Sequence, residues 1–192
     1  MPRKRFWISL LIASAALLLV NTALSLAAKS PKPEPDVVKL LPKSGYVKGW
    51  EVYPDTLVYG SGKGLTDIYN GGYELYTKNG ALDAAQQIYR CKNDTAIITV
   101  HRMESIRAGT RFFQYWKKSD KKERSFKPLR VLTDCYVYTA DGTASGYLIR
   151  NRYFVTASVY MKGESGGFAA EAFLKDISVK IGKLVQPAKP RK

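Results

Sequence analysis

The first groups in this sequence that suggest chemistry are carboxylates. Glu74 stands four residues after Asn70, and side chains four residues apart are neighbours on one face of a helix. Two carboxyl groups can divide the roles of general acid and general base, so a hydrolase-like reaction around Glu74 is one interpretation. Glu51, Asp67 or Asp134 would supply the second carboxyl group. A polar contact between Glu74 and a neighbouring loop is the structural alternative.

A basic run is the second candidate site. Its lysines and arginines lie between residues 117 and 130, where Asp120 and Glu123 are the only acidic residues. The aromatic residues Trp116 and Phe126 lie beside these cations. Such a run can contact phosphate or sulfate groups, and a solvated loop is the alternative. Together with the polar pair described above, it gives the predicted ligand-binding residues: Asn70, Glu74, Lys117, Lys118, Lys121, Lys122, Arg124 and Lys127.

Other motifs argue against familiar active sites. The sequence GSGKG at residues 60–64 lacks the glycine spacing of a phosphate-binding loop, and Gly64 stands where that loop has Ser or Thr. His101 is the only histidine, and no serine stands in a nucleophile-elbow pattern, so we expect a structural histidine. One histidine and two cysteines lack the spacing of metal ligands. We therefore predict no catalytic residue, no metal site and no cofactor.

The two cysteines, Cys91 and Cys135, are a candidate disulfide. An even number of cysteines in an exported chain favours a bond, because the compartment permits oxidation. Two buried thiols that pack as small apolar side chains are the alternative.

The start of the chain predicts export. Arg3, Lys4 and Arg5 precede an apolar run over residues 6–20, and small residues follow. This is the pattern of a signal peptide over residues 1–27, with cleavage after Ala27. An uncleaved anchor is the alternative, although the run is shorter than the roughly 20 residues of a membrane span. Cleavage would lower the formal charge from +15 to +12, which favours anionic partners.

The remaining chain predicts one small α+β domain. A Pro/Lys-rich linker covers residues 28–39, a single domain covers 40–185, and a basic disordered tail covers 186–192. We expect an antiparallel sheet of about five strands with two or three helices packed on one face. One or two further short strands are predicted near residues 51–53 and 56–59, within an irregular region rich in Gly, Pro and aromatic residues. Periodicity predicts helices over 65–79, 106–118 and 168–184, strands over 84–90, 95–103, 129–138, 143–150 and 153–161, and a flexible link over 163–167.

The segment LTDIYNGGYELYTKNGA, with the later helix opening MESIRAG and the start LLPKSGYVKGW, resembles an uncharacterised family of exported bacterial proteins, domain of unknown function family 6599. The resemblance covers roughly residues 40–184. It implies an extracytoplasmic α+β domain and brings no activity, cofactor or catalytic residue.

Taken together, these features predict an exported protein of the periplasm or extracellular space, with membrane association left open. We expect a non-enzymatic binding or accessory domain, rather than an enzyme, for an anionic envelope component, an acidic protein or a membrane surface. Export argues against nucleic acid as a partner. A hydrolase-like enzyme and a structural subunit of an envelope complex are the alternatives. The sequence leaves the oligomeric state open.

Overall fold

A computed structural model describes residues 34–122, 127–131, 133–140, 142–161 and 163–185, without the side chain of residue 131. The predicted signal peptide (1–27), residues 28–33 of the predicted linker, Arg124 and the predicted tail (186–192) lie outside these residues. The folded unit begins at Pro35. The end of the predicted linker is therefore part of the fold: Asp36–Leu40 forms helix α1, and Val37 and Leu40 are buried in the core.

The described residues form eight strands, four α-helices and one 3-10 helix. In chain order they are α1 (Asp36–Leu40), β1 (Glu51–Val52), β2 (Val58–Ser61), the 3-10 helix (Gly62–Asp67), α2 (Tyr73–Lys78), β3 (Ala81–Cys91), β4 (Asp94–Met103), α3 (Ile106–Asp120), β5 (Lys127–Val131), β6 (Cys135–Ala140), β7 (Thr143–Arg150), β8 (Tyr153–Tyr160) and α4 (Glu164–Leu184). The predicted α+β class is confirmed.

All eight strands belong to one antiparallel sheet with the order β1-β3-β4-β8-β7-β6-β5, and β2 also pairs with β3. The prediction of about five strands was too low for two reasons. The segment predicted as one strand over 129–138 is two strands, β5 and β6, that pair with each other. The two short predicted strands, β1 and β2, which the count of about five did not include, also join the sheet along β3.

Helices cover both faces of the sheet, which corrects the prediction of one covered face. Helices α4 and α1 pack on the first face, where Val155, Ala157 and Val159 of β8 point into the core. Helix α3 and the segment from the 3-10 helix to α2 pack on the second face, around Phe112 and Phe154. The reason is that successive side chains of a strand point to opposite faces, and both sets contain apolar residues here.

The helix predicted over residues 65–79 is interrupted. The chain forms the 3-10 helix first and starts α2 only at Tyr73. Between them Gly71 has a φ of 89°, a left-handed conformation that glycine adopts without steric cost and that no α-helix contains. Gly80, with a φ of 90°, follows α2 in the left-handed conformation that commonly ends a helix.

The two long helices agree better with the sequence. Ser105 caps α3, because its hydroxyl accepts a hydrogen bond from the backbone N–H of Ala108 at 3.1 Å. Helix α4 starts at Glu164, so the predicted flexible link over 163–167 is wrong. Gly167 lies inside the helix, and a Cβ on it would stand 1.9 Å from a methyl carbon of Leu129. The glycines of this segment therefore permit close packing of α4 on β5.

Candidate functional site

A small pocket lies on the second face of the sheet, and we treat it as the candidate site. It encloses about 220 Å³. Four aromatic side chains line it, Tyr69, Tyr76, Trp116 and Tyr147, and they come from the segment before α2, from α2, from α3 and from β7. Five strand residues form the remaining lining: Gln86, Ile97, Thr99, Thr156 and Ser158. We call these nine residues the aromatic pocket.

The register of the sheet places the polar residues of the pocket in rows. Gln86 of β3 pairs with Thr99 of β4, Thr99 pairs with Thr156 of β8, and Thr156 pairs with Tyr147 of β7. Four strands therefore present hydrogen-bonding side chains in one line across this face. Thr99 is only 2% exposed, and its hydroxyl accepts a hydrogen bond from the Gln86 amide at 3.0 Å. Polar residues occupy positions where a purely structural core would carry apolar ones.

His101 supports one wall of the pocket from below. Its Nδ1 lies 2.9 Å from the carbonyl oxygen of Phe154, so Nδ1 carries the proton and donates it. Nε2 therefore accepts a hydrogen bond from the hydroxyl of Tyr69. Complete burial lowers the pKa of His101 to about 4, which keeps the ring neutral at pH 7. The prediction of a structural histidine agrees with this arrangement.

The aromatic walls are stacked against their neighbours. The rings of Tyr69 and Tyr76 lie 3.7 Å apart and nearly parallel, and Tyr76 also stacks on His101. On the other side Tyr147 stacks on Tyr136 with ring centres 4.7 Å apart. These contacts fix both walls, so the pocket is formed before any ligand enters.

Trp116, which lines the pocket, carries a buried polar group without a partner. Its indole Nε1–H is buried and has no hydrogen-bond partner among the described residues. Its ring centre lies 5.9 Å from that of Tyr147 and 6.0 Å from that of Phe112. A buried donor without a partner costs roughly 1–3 kcal/mol, and native proteins rarely carry one without a reason.

The tyrosine hydroxyls of the pocket are hydrogen-bonding groups rather than bases. Burial raises the pKa of Tyr69, of Tyr76 and of Tyr147 above the ordinary value for tyrosine. The three hydroxyls therefore stay protonated at neutral pH, and each can donate and accept a hydrogen bond.

The predicted carboxylate site is not assembled in this structure. Glu74 is 59% exposed and forms an ion pair with Lys78 at 3.0 Å, one helical turn away on α2. Asn70 is exposed as well, and neither residue lines the aromatic pocket. Glu51 and Asp67 are exposed too, and Asp134 lines a different cavity, between β6 and α4. Within the described ranges, no group of three or more metal-ligating side chains comes together.

The predicted basic run is partly brought together at the end of α3. Lys117 and Lys118 lie in the last turn of the helix, where cations complement the helix dipole, and Lys121 and Lys122 follow directly. Lys127 opens β5 on the edge of the sheet. Lys117 also approaches the ring of Phe113, at 5.9 Å. We call the four lysines at residues 117–122 the α3 basic end.

The predicted disulfide is wrong for this structure, in which Cys91 and Cys135 are both free thiols. They lie on β3 and β6, and three strands separate β3 from β6 in the sheet. Four strand spacings correspond to about 19 Å of sheet, whereas a disulfide joins Cα atoms less than about 7 Å apart. Burial raises the pKa of the Cys135 thiol to about 11, so this group packs as an apolar side chain.

Sequence reasoning missed the pocket because its walls are tyrosines and a tryptophan that also suit a core. One signal was available. On β8, Thr156 and Ser158 alternate with Val155, Ala157 and Val159, so one face of a central strand carries hydroxyl groups.

No protein-family model matches the sequence, and no curated protein matches it. Among solved structures, the extracellular domain of PknH from Mycobacterium tuberculosis has a similar fold, with a TM-score of 0.55 and 12% sequence identity. The similarity covers 81% of this chain and 100% of that chain. At this identity the similarity shows the fold alone. None of the described helices is long and apolar enough to cross a membrane.

Proposed function

We propose that this protein is an exported, non-catalytic binding domain that captures a small ligand in the aromatic pocket. The observation that carries the proposal is the aromatic pocket itself, in which four aromatic side chains lie beside a row of polar strand residues. Trp116 lines this pocket, and its buried Nε1–H lacks a partner among the described residues, so a small rotation of the indole would offer the donor to a ligand. A ligand that accepts this hydrogen bond would remove the cost of the unsatisfied donor. Pockets of this kind, aromatic with a few convergent polar groups, are typical of ligand sites.

Binding fits the pocket better than catalysis does. Among the described residues that line the pocket there is no carboxylate, lysine, cysteine or histidine. His101, a base that contacts the pocket residue Tyr69, uses both ring nitrogens in hydrogen bonds to Tyr69 and Phe154. An activated nucleophile needs a base within hydrogen-bond reach, and the hydroxyls of Thr156 and Ser158 have no such base among the residues of the lining.

A thermal-shift screen with a panel of small neutral molecules tests this proposal. A ligand that binds only the folded state raises the midpoint of unfolding. The variant Trp116→Phe keeps an aromatic wall and removes the donor, so the shift should shrink. Trp50→Phe is the matched control, because Trp50 is buried in the other core cluster. A panel that shifts the wild type and both variants equally, or shifts none of them, contradicts the proposal.

Export to the cell envelope is the second part of the proposal. The cationic start followed by an apolar run supports it, and the fold similarity to an extracellular domain is consistent with it. Mass spectrometry of the chain from the host envelope should find a mature protein that begins at Ala28. An intact chain recovered from the cytosol would overturn this part.

The third part concerns an anionic partner, for which the α3 basic end is the proposed contact. Lys118, Lys121 and Lys122 are exposed at the helix end, and the whole chain carries a surplus of positive charge. An anionic surface, such as vesicles that contain phosphatidylglycerol, should bind the chain with a steep dependence on salt.

The test is a triple change of these lysines to Glu. Lys43, Lys48 and Lys63 are exposed elsewhere, and their change to Glu is a control with the same loss of charge. A weaker interaction in the first variant alone supports the basic end as the contact. Equal weakening in both variants would assign the attraction to net charge instead.

A further inference from the structure

We infer that the ligand of the aromatic pocket is a single neutral sugar ring, an inference that rests on the proposed function and names its ligand class. The first reason is charge. None of the nine residues that line the pocket carries a formal charge. A charged ligand would leave water without a countercharge in the lining, and burying an unpaired charge is costly. The positive surface of the chain can attract anions, but the nine described lining residues include no cation to hold one.

The second reason is size. The pocket encloses about 220 Å³, which lies below the roughly 300–1,000 Å³ of sites for drug-sized ligands. A ligand of one ring fits this space, and a longer ligand would extend out of the pocket. The described part of the pocket therefore has room for one sugar ring, which is either a free monosaccharide or the terminal sugar of a longer glycan.

The third reason is the mixture of surfaces. The walls include the aromatic side chains of Tyr76, Trp116 and Tyr147, against which the C–H groups of a sugar can pack. The floor presents the hydroxyls of Thr156 and Ser158, and a hydroxyl both donates and accepts hydrogen bonds. Sugar hydroxyls have the same double capacity, so each can pair with the floor.

An apolar aromatic ligand suits the walls but not the rest of the pocket. It would leave the floor hydroxyls without partners after water is excluded, and each lost partner weakens binding. It would also leave the buried Nε1–H of Trp116 unpaired, whereas a sugar oxygen can accept this hydrogen bond once the indole rotates toward the pocket. The geometry therefore favours a polyhydroxylated ring over a flat hydrocarbon one.

Isothermal titration calorimetry on the purified full chain tests the inference. The neutral probes are methyl glucoside, methyl galactoside, methyl mannoside and N-acetylglucosamine. Glucose 6-phosphate is the charged probe, and p-cresol is the aromatic probe without a polyol. We expect saturable binding of at least one neutral sugar, weaker binding of glucose 6-phosphate, and no saturation with p-cresol.

Variants locate the binding. Trp116→Phe should weaken the sugar by about fivefold, the effect of one lost neutral hydrogen bond, whereas Trp50→Phe should leave it unchanged. Ser158→Ala removes one floor hydroxyl at a half-buried position, so it serves if Trp116→Phe fails to fold. A sugar that binds all variants equally would place its site elsewhere and overturn the inference.

The remaining outcomes separate the ligand class from the proposed function. If p-cresol saturates and no sugar does, and Trp116→Phe weakens p-cresol, the sugar class is wrong and the binding pocket stands. If glucose 6-phosphate binds more tightly than every neutral sugar, the argument from the uncharged lining is wrong. If no probe of any class binds, the inference and the proposed pocket function are both contradicted.

Discussion

The pH dependence of stability offers a sharp test of how His101 supports the pocket. Burial lowers the pKa of this histidine to about 4 in the folded chain, compared with about 6.5 in an unfolded one. The unfolded state therefore binds more protons between these values, and the free energy of unfolding should fall as the pH falls through this window. From pH 7 to pH 5 the two pKa values give a loss of about 2 kcal/mol from this one residue.

The measurement is urea unfolding of the wild type and of His101→Gln at several pH values between 7 and 5. The other titrating groups are shared by both proteins, so their contributions cancel in the comparison. The variant will be less stable at pH 7, because it disturbs the contact with Tyr69 and the bond to Phe154. Between pH 7 and pH 5, the free energy of unfolding of the variant should nevertheless fall by about 2 kcal/mol less than that of the wild type. Parallel pH profiles for the two proteins would refute the buried, neutral histidine.

Three further outcomes follow from other parts of the fold. Gly60→Ala should lower the free energy of unfolding by at least about 2 kcal/mol, since its Cβ would stand 2.1 Å from the backbone oxygen of Gly64, whereas Gly64→Ala meets no atom within 4 Å. Equal stability of the two variants in urea would contradict this packing. Ser105→Ala should cost about 1 kcal/mol in the same assay through loss of the helix cap, and no loss would count against the cap. Unfolding without reductant should expose Cys91 and Cys135 to iodoacetamide, with two adducts by mass; a chain without adducts would show that a disulfide exists.

Local signals in the sequence were sufficient for much of the fold. The hairpins β3–β4 and β7–β8 follow from alternating residues on either side of short turns, with Lys92 and Asn151 in left-handed conformations at those turns. Helix α3 follows from its cap and from Phe112 and Phe113 on its buried side. Each of these features depends on residues close together in the chain, so one sequence is enough to read them.

Features that depend on distant residues were not predictable in this way. The placement of β8 beside β4 joins residues more than 50 positions apart, such as Val100 and Val155, and no local pattern encodes it. The break before α2 depends on Gly71, and a helical period that continues across the break concealed it. The sequence did not reveal that helices cover both faces of the sheet. Each face of β8 contains large or apolar residues, so its pattern marked neither face as the exposed one.

The candidate site was the least predictable feature. Glu74 was a candidate in the sequence because carboxylates can act as a general acid or base. In the fold it forms an ion pair with Lys78 on the surface. The pocket draws on six strands and helices and on the segment before α2, so its lining is scattered through the chain. Tyr69 and Tyr147 were indistinguishable from core aromatics until the sheet order placed hydroxyls beneath them.

The most direct test of the pocket as a ligand site is the nuclear magnetic resonance signal of the Trp116 indole N–H. Single Trp→Phe variants assign the indole signals of the purified chain, and the neutral sugars named above are then added one at a time, with p-cresol in a separate titration. At least one of these molecules should shift the Trp116 signal saturably while the Trp50 signal, from the other core cluster, stays in place. A Trp116 signal that no molecule moves, or that moves only together with Trp50, would contradict the pocket as a ligand site.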